Sequence, residues 1–212
     1  MQLIDGAFCI DRFEASTADV NSDGSVTAHS PYRTVEGLRV KALALEGVIP
    51  QAYISRNQAE AACRESEKRL CTSREWVNTC KGPGKMTFPY GNSHKPGYCV
   101  DPNRVSPLMR LFESLGSARY QFAVMNDPAL NQVLGSVAPT GSFARCTNEY
   151  GVYDMVGNLH EWTADGQGTF RGGFYLDTKL NGSGCDYKTV AHAPTYHDYS
   201  SGFRCCKDAA NQ

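Results

Sequence analysis

The segment at residues 138–165 reads APTGSFARCTNEYGVYDMVGNLHEWTAD and sets the character of the whole chain. Glycines interrupt it at short intervals, which predicts strands and turns of a few residues each instead of long helices. Its last part begins like the HExxH helix of zinc proteases, but Ala164 stands where the second histidine would be. The segment therefore predicts an irregular fold and excludes that zinc motif.

The composition extends this pattern to the full chain. Its 212 residues include 20 glycines, 10 prolines and 11 tyrosines, and 41% of them are apolar. This length and apolar content suit one globular domain over residues 1–212, rich in turns. The net charge of -1 leaves no basic field for phosphate backbones, so we expect no nucleic-acid partner. No apolar run is long enough to predict a membrane span.

Nine cysteines are the strongest compositional signal. They contain no Cys-x-x-Cys spacing, so the pattern favours disulfides over a zinc site. Disulfides form in oxidising compartments, and we therefore expect a secreted, periplasmic or cell-surface protein whose export signal is not part of residues 1–10. The odd count leaves at least one thiol unpaired or bonded to another molecule.

Two capping boxes predict two helices in the N-terminal half. Ser55 and Gln58 precede a run with small apolar residues on one face, which predicts a helix over residues 56–67. Thr72 and Glu75 repeat the device and predict a second helix directly afterwards.

Other elements are predicted by weaker patterns. The apolar and polar alternation at residues 8–16 predicts a strand, and residues 202–206 predict a closing strand. Residues 107–116 are a helix candidate, and the Asn-Asp-Pro sequence at 126–128 predicts the start of another short helix.

Three long segments together resemble the formylglycine-generating-enzyme family, also called the sulfatase-modifying factors. They are SRNQAEAACRESEKRLCTSREW at residues 55–76, the segment at 138–165, and FRGGFY followed by GFRC at 170–175 and 202–205. With CIDRFEAS at 9–16 they follow the family's order over nearly the whole chain. The resemblance implies an irregular α+β fold related to C-type lectins, with little regular secondary structure and with stabilising calcium and disulfides.

The resemblance also implies an oxidation site. Functional members convert a cysteine of a sulfatase peptide to formylglycine, using oxygen and copper held by two thiolates, the ligands that Cu(I) prefers. Their first copper cysteine follows a Gly-Gly-Ser-aromatic turn. Here Phe174 replaces the serine, Asp177 stands at the cysteine position, and Cys185 matches the second cysteine. One thiolate and a carboxylate make a poor Cu(I) site, so we expect the copper-dependent reaction to be lost.

Two functions remain open at this point. The first is an oxidoreductase of altered chemistry, in which Cys185, His192 and Asp177 are catalytic and copper or iron is the redox metal. The second is a calcium-stabilised binding module that displays a loop rich in tyrosine and histidine to a peptide, glycan or protein. Its candidate contacts are Phe174, Tyr175, Tyr187, Tyr196 and His197.

The resemblance assigns a structural calcium ion to the second half of the 138–165 segment. Its ligands would be the side chain of Asp154, the backbone carbonyls of Gly157 and Leu159, and the carboxylate of Glu161. Hard oxygen ligands of this kind suit calcium. By the same resemblance, Asn103 belongs to a second calcium site.

The resemblance also implies disulfides. The family's first bridge maps to Cys63 and Cys205, and its second bridge begins at Cys80. The remaining alternatives are Cys80 with Cys71, with Cys99 or free, Cys9 with Cys206, and Cys185 either free or bonded to Cys146 or another neighbour.

Overall fold

A computed structural model describes residues 1–101 and 106–209. Within these ranges the chain forms short helices and short strands joined by long connections. The helices are α1 (Arg56–Glu65), α2 (Ser73–Lys81), α3 (Pro107–Phe112) and α4 (Phe122–Met125). The strands are β1 (Gln2–Ile4), β2 (Phe8–Ile10), β3 (Ser16–Val20), β4 (Val26–Ala28), β5 (Val40–Leu43), β6 (Arg69–Leu70), β7 (His160–Trp162), β8 (Phe170–Arg171), β9 (Lys188–Thr189), β10 (Ser201–Phe203) and β11 (Cys205–Asp208). The predicted mixed fold with little regular secondary structure is confirmed.

The strands form three small sheets. One has the order β1-β2-β11-β6, the second β10-β7-β8-β9 and the third β4-β3-β5. In the first sheet β11 lies antiparallel to both β2 and β6, so the two ends of the described chain meet. In the second sheet β10 runs parallel to β7, which carries the end of the 138–165 segment. Long-range pairing thus joins the C-terminal strands to both halves of the protein.

Both predicted capping boxes are present. The Ser55 side chain accepts a hydrogen bond from the Gln58 backbone N–H, and the Gln58 side chain accepts one from the Ser55 N–H. Thr72 and Glu75 form the same pair at the start of α2. Each box satisfies donors that the first helical turn leaves without partners. Helix α1 ends at Glu65, slightly before the predicted end.

The two terminal strand predictions were too long. Strand β2 ends at Ile10 because the Asp11 carboxylate turns towards Lys68, whose Nζ lies 2.8 Å from Oδ1. The Asp11 N–H still donates to the carbonyl oxygen of Cys205, the residue opposite it in the register of β2 and β11. Residues 202–206 form parts of β10 and β11, which belong to different sheets and are separated by the buried Arg204.

The predicted helix at residues 107–116 is only half right, because α3 ends at Phe112 and a 3₁₀ segment, Glu113–Tyr120, follows. The predicted short helix after Pro128 is only partly right. A single 3₁₀ turn, Leu130–Gln132, forms there. The segment is held by tertiary contacts, since the Asn131 side chain donates to the carbonyl oxygen of Tyr199.

Four disulfides brace the fold. Cys63–Cys205, the pair that the resemblance implied, joins α1 to β11 across a sequence separation of 142. Closing so long a loop stabilises a fold by about 4 to 5 kcal/mol in the chain-entropy picture. The other bridges are Cys71–Cys206, Cys80–Cys185 and Cys99–Cys146.

The suggested Cys9–Cys206 bridge was wrong, and Cys9 is the free thiol. In the register of β2 and β11, Cys9 lies opposite Lys207, whereas Cys206 lies opposite Ile10. Adjacent positions on a strand point to opposite faces of the sheet, so the side chains of Cys9 and Cys206 face apart. Cys80 pairs with none of the suggested partners.

Four disulfides are typical of a protein that folds in an oxidising compartment. None of the helices within the described ranges has both the length and the apolar character needed to cross a bilayer.

Two buried tryptophans mark the interior next to β7. Trp76 of α2 donates its indole N–H to the Glu161 carboxylate over 2.8 Å. Trp162 donates its indole N–H to the carbonyl oxygen of Ile54 over 2.9 Å. The strand β7 is therefore fixed to both N-terminal helical segments, and this strand positions the candidate site.

Candidate functional site

The turn at Phe174–Asp177 depends on the two glycines before it. Gly172 and Gly173 have φ angles of 79° and 72°. A Cβ on Gly173 would lie 2.3 Å from the carbonyl oxygen of Asp177, a clash with backbone. The turn is closed by a hydrogen bond of 2.8 Å from the Phe174 N–H to the same oxygen. Only glycine permits this conformation and this approach.

Asp177 stabilises the turn that follows it. Its Oδ1 accepts hydrogen bonds of 2.9 Å from the backbone N–H groups of Lys179 and Leu180. Its Oδ2 accepts the hydroxyl of Tyr187 at 3.0 Å. The carboxylate that stands at the first copper-cysteine position therefore has a structural role in the loop.

Cys185 is not a free thiolate in this structure. It is bonded to Cys80, and both side chains are fully buried. The prediction of a catalytic Cys185 therefore does not fit, because a bridged and buried sulfur can neither attack a substrate nor bind Cu(I). Cys80 is where the family's second bridge begins, so Cys185 serves that bridge. Neither copper-cysteine position then supplies a thiolate.

The neighbourhood of Asp177 is instead filled by rings, which we call the His160 cluster. The His160 ring lies 4.9 Å from Phe170, 4.8 Å from Phe174 and 5.4 Å from Tyr187, between ring centroids. The His192 ring lies 5.7 Å from Phe170 and stacks on Tyr196 at 3.9 Å. The cluster comprises His160, Phe170, Phe174, Tyr187, His192 and Tyr196.

The imidazoles of this cluster are neutral at physiological pH. Burial lowers the pKa of His160 to about 3, and its Nδ1 is buried without a hydrogen-bond partner. Burial also lowers the pKa of the half-buried His192. The Tyr187 hydroxyl donates to Asp177 and the Tyr196 hydroxyl donates to Asp198. Because both hydroxyls are bonded to carboxylates, neither described hydroxyl is paired with an imidazole that could activate it.

Exposure divides the predicted ligand contacts into two groups. Tyr175 is fully buried and donates its hydroxyl to Asn131, and Tyr187 is also buried. These two support the surface from beneath and cannot contact a ligand directly, contrary to the prediction. His197 is nearly buried against α4. Phe174 and Tyr196 are half-exposed and accessible.

Two members of this surface were missed by sequence reasoning. The sequence indicates His160 only as part of the failed HExxH motif, and its burial results from the tertiary packing of β7. Phe122 of α4 is 53% exposed, and its ring meets that of His197 at 5.2 Å and that of Tyr196 at 6.1 Å. No sequence pattern links α4 to the loop of residues 187–199, because the contact is purely tertiary.

The predicted calcium ligands lie on the other side of β7. The Asp154 side chain is buried, its Oδ2 accepts the Gly141 N–H at 2.6 Å, and its Oδ1 has no hydrogen-bond partner. Glu161 Oε2 accepts from Arg204 and Trp76, and its Oε1 accepts from Arg204. A carboxylate offers about four lone-pair sites, so Glu161 keeps one acceptor position on Oε1.

These residues fit a hard cation in charge and in donor chemistry. Burial raises the pKa of Asp154, and nearby Glu161 raises it further, which shows that negative charge is crowded there. Within the described ranges no three Asp, Glu, His or Cys side chains converge as a metal site, so backbone oxygens such as those of Gly157 and Leu159 would have to complete it. Asn103, predicted for a second site, lies outside the described residues.

Comparison with known proteins agrees with this geometry. The family model described as "Sulfatase-modifying factor enzyme 1-like domain" matches residues 5–209. The chain belongs to the sulfatase-modifying factor family.

Two relatives with curated names show how this member compares with others in the family. The chain is 29% identical over 171 residues to "Inactive C-alpha-formylglycine-generating enzyme 2" of Bos taurus, a match that covers 76% of the chain and 50% of the relative. It is 30% identical over 114 residues to "Formylglycine-generating enzyme" of Mycobacterium tuberculosis, covering 54% of the chain and 32% of that protein. The chain thus spans about half, or less, of the length of these members of the sulfatase-modifying factor family.

Solved structures show the same fold at low sequence identity. PvdO from Pseudomonas aeruginosa matches with a TM-score of 0.57 and 16% identity, over 95% of the chain and 80% of PvdO. The Major Tropism Determinant U1 variant matches with a TM-score of 0.51 and 16% identity, over 97% of the chain and 51% of that protein. The fold of the sulfatase-modifying factor family and its C-type-lectin-like character are therefore both present here.

The buried His160 predicts a pH-dependent stability. An unfolded histidine has a pKa near 6.5, whereas folding lowers that of His160 to about 3. Between these pH values only the unfolded chain binds a proton at His160. The stability that the neutral, buried His160 contributes is therefore complete above about pH 6.5 and decreases as the pH falls. When the pH is lowered from about 7.5 to 5, we expect the free energy of unfolding to fall by about 2 kcal/mol less in His160→Gln than in the unchanged protein. Urea unfolding in calcium-containing buffer measures this, and equal losses in both proteins would contradict it.

Proposed function

We propose that this protein is an exported, non-catalytic member of the sulfatase-modifying factor family that binds a peptide segment of another protein on the His160 cluster. The observation that carries the proposal is the Cys80–Cys185 bridge, together with Asp177 at the other copper-cysteine position. The two-thiolate copper chemistry has no ligands there. The accessible rings of the His160 cluster lie around this position.

The relatives support the loss of the oxidation chemistry. Two of them, from Bos taurus and Mus musculus, are named as inactive formylglycine-generating enzymes. A physical reason for this loss comes from two side chains. The Asp177 carboxylate caps a turn and the Cys185 sulfur forms a disulfide, so copper would find no soft ligands at these two positions.

The shape and chemistry of the surface favour a peptide ligand. Phe174, His192 and Tyr196 are half-exposed and Phe122 is 53% exposed, so four rings are accessible at one place. Their support is rigid, because His160, Phe170 and Tyr187 pack beneath them. Preorganised aromatic side chains dominate the energetics of protein interfaces, since they bury much area at little entropic cost.

The first prediction of this proposed function concerns the missing copper chemistry. The purified protein, incubated in air with Cu(I) and a sulfatase-type cysteine peptide, is expected to produce no formylglycine and to retain no stoichiometric copper. Mass spectrometry of the peptide and metal analysis of the protein measure both results. Formylglycine production that Cys185→Ser abolishes and Cys9→Ser leaves unchanged would overturn the proposal.

The second prediction concerns the ligand surface. Linear peptides selected from a random display library on the unchanged protein are expected to bind at least about tenfold more weakly to Phe174→Ala and to Tyr196→Ala, because each change removes an aromatic anchor. Fluorescence anisotropy measures the affinities. Val26→Ala, which changes an exposed apolar side chain on β4, is the matched control and should not alter binding. Selected peptides that bind both cluster variants with unchanged affinity, or binding of glycans alone, would contradict a peptide site at this cluster.

A structural calcium ion is part of the same proposal. Asp154 and Glu161, with the carbonyl oxygens of Gly157 and Leu159, would hold it, and the ion would supply positive charge to a buried acidic region. Support comes from the buried Oδ1 of Asp154, which lacks a partner, and from the free acceptor position on Glu161.

The third prediction follows from this ion. Calcium at about one hundred times its Kd is expected to raise the Tm by roughly 5 to 10 °C over the value in EDTA, because it binds only the folded state. Asp154→Asn should lose most of this rise. Asp23→Asn, in the exposed acidic turn after β3, should keep it. Differential scanning calorimetry decides, and an equal Tm of the unchanged protein with and without calcium would remove the ion from the proposal.

A further inference from the structure

A buried glutamate from the N-terminal segment reaches the region of the expected calcium ion. Glu14 lies between β2 and β3, far from Asp154 in sequence, and only 1% of it is exposed. The expected calcium ligands begin at Asp154 of the 138–165 segment, so Glu14 is not one of them. The Glu14 side chain nevertheless accepts hydrogen bonds from residues of the 138–165 segment.

The Glu14 carboxylate binds the two residues at the centre of the calcium loop. Its Oε1 accepts the backbone N–H of Leu159 at 3.1 Å, and its Oε2 accepts the side-chain amide of Asn158. Asn158 has a φ of 55°, a left-handed conformation that is uncommon for a residue with a side chain. The Asn158 side chain also accepts the N–H of Ala138 at 2.9 Å. Glu14 thus fixes the Asn158–Leu159 peptide unit, which directly precedes the unit that carries the Leu159 carbonyl.

Close packing leaves the preceding residue no freedom. A Cβ on Gly157 would lie 1.9 Å from the carbonyl oxygen of Val100, and the Asn158 N–H donates to that same oxygen. The loop is therefore held from one side by the Val100 backbone and from the other by Glu14. Its two expected carbonyl ligands, on Gly157 and Leu159, are placed by these contacts.

When all of them are ionised, the buried carboxylates around this loop outnumber the buried cation beside them. Glu14, Asp154 and Glu161 are three buried carboxylates, and Arg204 is the buried cation that interacts with all of them. Arg204 is committed to Glu161 by two hydrogen bonds of 2.6 Å. Two negative charges are left when all three carboxylates are ionised, and one divalent cation neutralises them. An uncompensated buried charge costs several kcal/mol, and a divalent cation beside Asp154 would remove that cost.

We propose that Glu14 is a positioning residue for a divalent cation at Asp154, holding the Asn158–Leu159 backbone and contributing charge without binding the ion itself. Its two oxygens face donors of the loop, and no three acidic side chains converge as a metal site in the described chain, which agrees with a role outside the ligand set. The proposal rests on the structural calcium of the proposed function. It adds a residue outside the ligand set and a role that a purely structural glutamate would not have.

The test compares Glu14→Gln with Glu14→Asp and with the unchanged protein. Isothermal titration with calcium chloride is expected to show at least about tenfold weaker binding to Glu14→Gln, because one negative charge near the ion is removed. The rise in Tm from EDTA to calcium should shrink in that variant, in addition to a loss of Tm in EDTA that follows because its side-chain amide can accept only one of the two hydrogen bonds. Glu14→Asp keeps the charge and should keep more of the calcium response. Glu113→Gln, an exposed change, is the matched control.

The possible outcomes separate the two proposals. A Glu14→Gln protein that binds calcium as tightly as the unchanged protein would overturn the role of Glu14 and leave the calcium site in place. Equal losses of Tm in EDTA and in calcium would also overturn it, since a glutamate needed only for packing matters under both conditions. An unchanged protein that binds no calcium would remove the calcium site and the role of Glu14 together.

Discussion

The buried guanidinium of Arg204 is the contact on which the rest of the structure depends. It binds both oxygens of Glu161 at 2.6 Å and donates to the backbone carbonyl oxygens of Asp11 and Tyr153. These partners belong to β7, the N-terminal segment and the 138–165 segment. Removing one partner of such a pair leaves the other charge buried, which costs about 3 to 5 kcal/mol. The next two residues, Cys205 and Cys206, are bridged to the α1 region, so disulfides fix the position of this side chain.

Local signals in the sequence predicted the local structure well. The capping boxes at Ser55 and Thr72 defined the starts of α1 and α2, because a cap depends only on residues three apart. Strand ends were predicted poorly where a polar residue turns inward. Asp11 and Arg204 look like solvent-facing strand positions in the sequence, yet each is buried against a partner more than forty residues away. Periodicity cannot reveal such partners, since it describes one element at a time.

The candidate site was predicted in outline and corrected in detail. Its position after Gly172 and Gly173 follows from the resemblance and is where the turn lies. The role of Cys185 was wrong because the choice of disulfide partner is a tertiary property, and nine cysteines allow many pairings. Glu14 and Phe122 have no sequence signal for the loops they contact, because a single glutamate or phenylalanine becomes informative only when the fold places it.

Strand β7 separates the two sides of the protein by its alternation. His160 and Trp162 point to one face, where both contact the ring of Phe170, while Glu161 points to the other face and meets Arg204 and Trp76. The His160 cluster and the acidic region therefore both lie against strand β7, but each contacts different side chains of that strand.

This arrangement explains how the oxidation chemistry can be lost while the scaffold remains. The Cys80–Cys185 bridge and the Lys81–Asp186 ion pair of 2.7 Å hold residues 185–187 against α2, which places the Tyr187 ring on His160. Neither contact needs a copper thiolate. At the first copper-cysteine position a carboxylate closes the turn with three hydrogen bonds, so Asp177 supports local structure there. The disulfide of Cys185 and the hydrogen bonds of Asp177 therefore fill both positions with groups that hold the fold together.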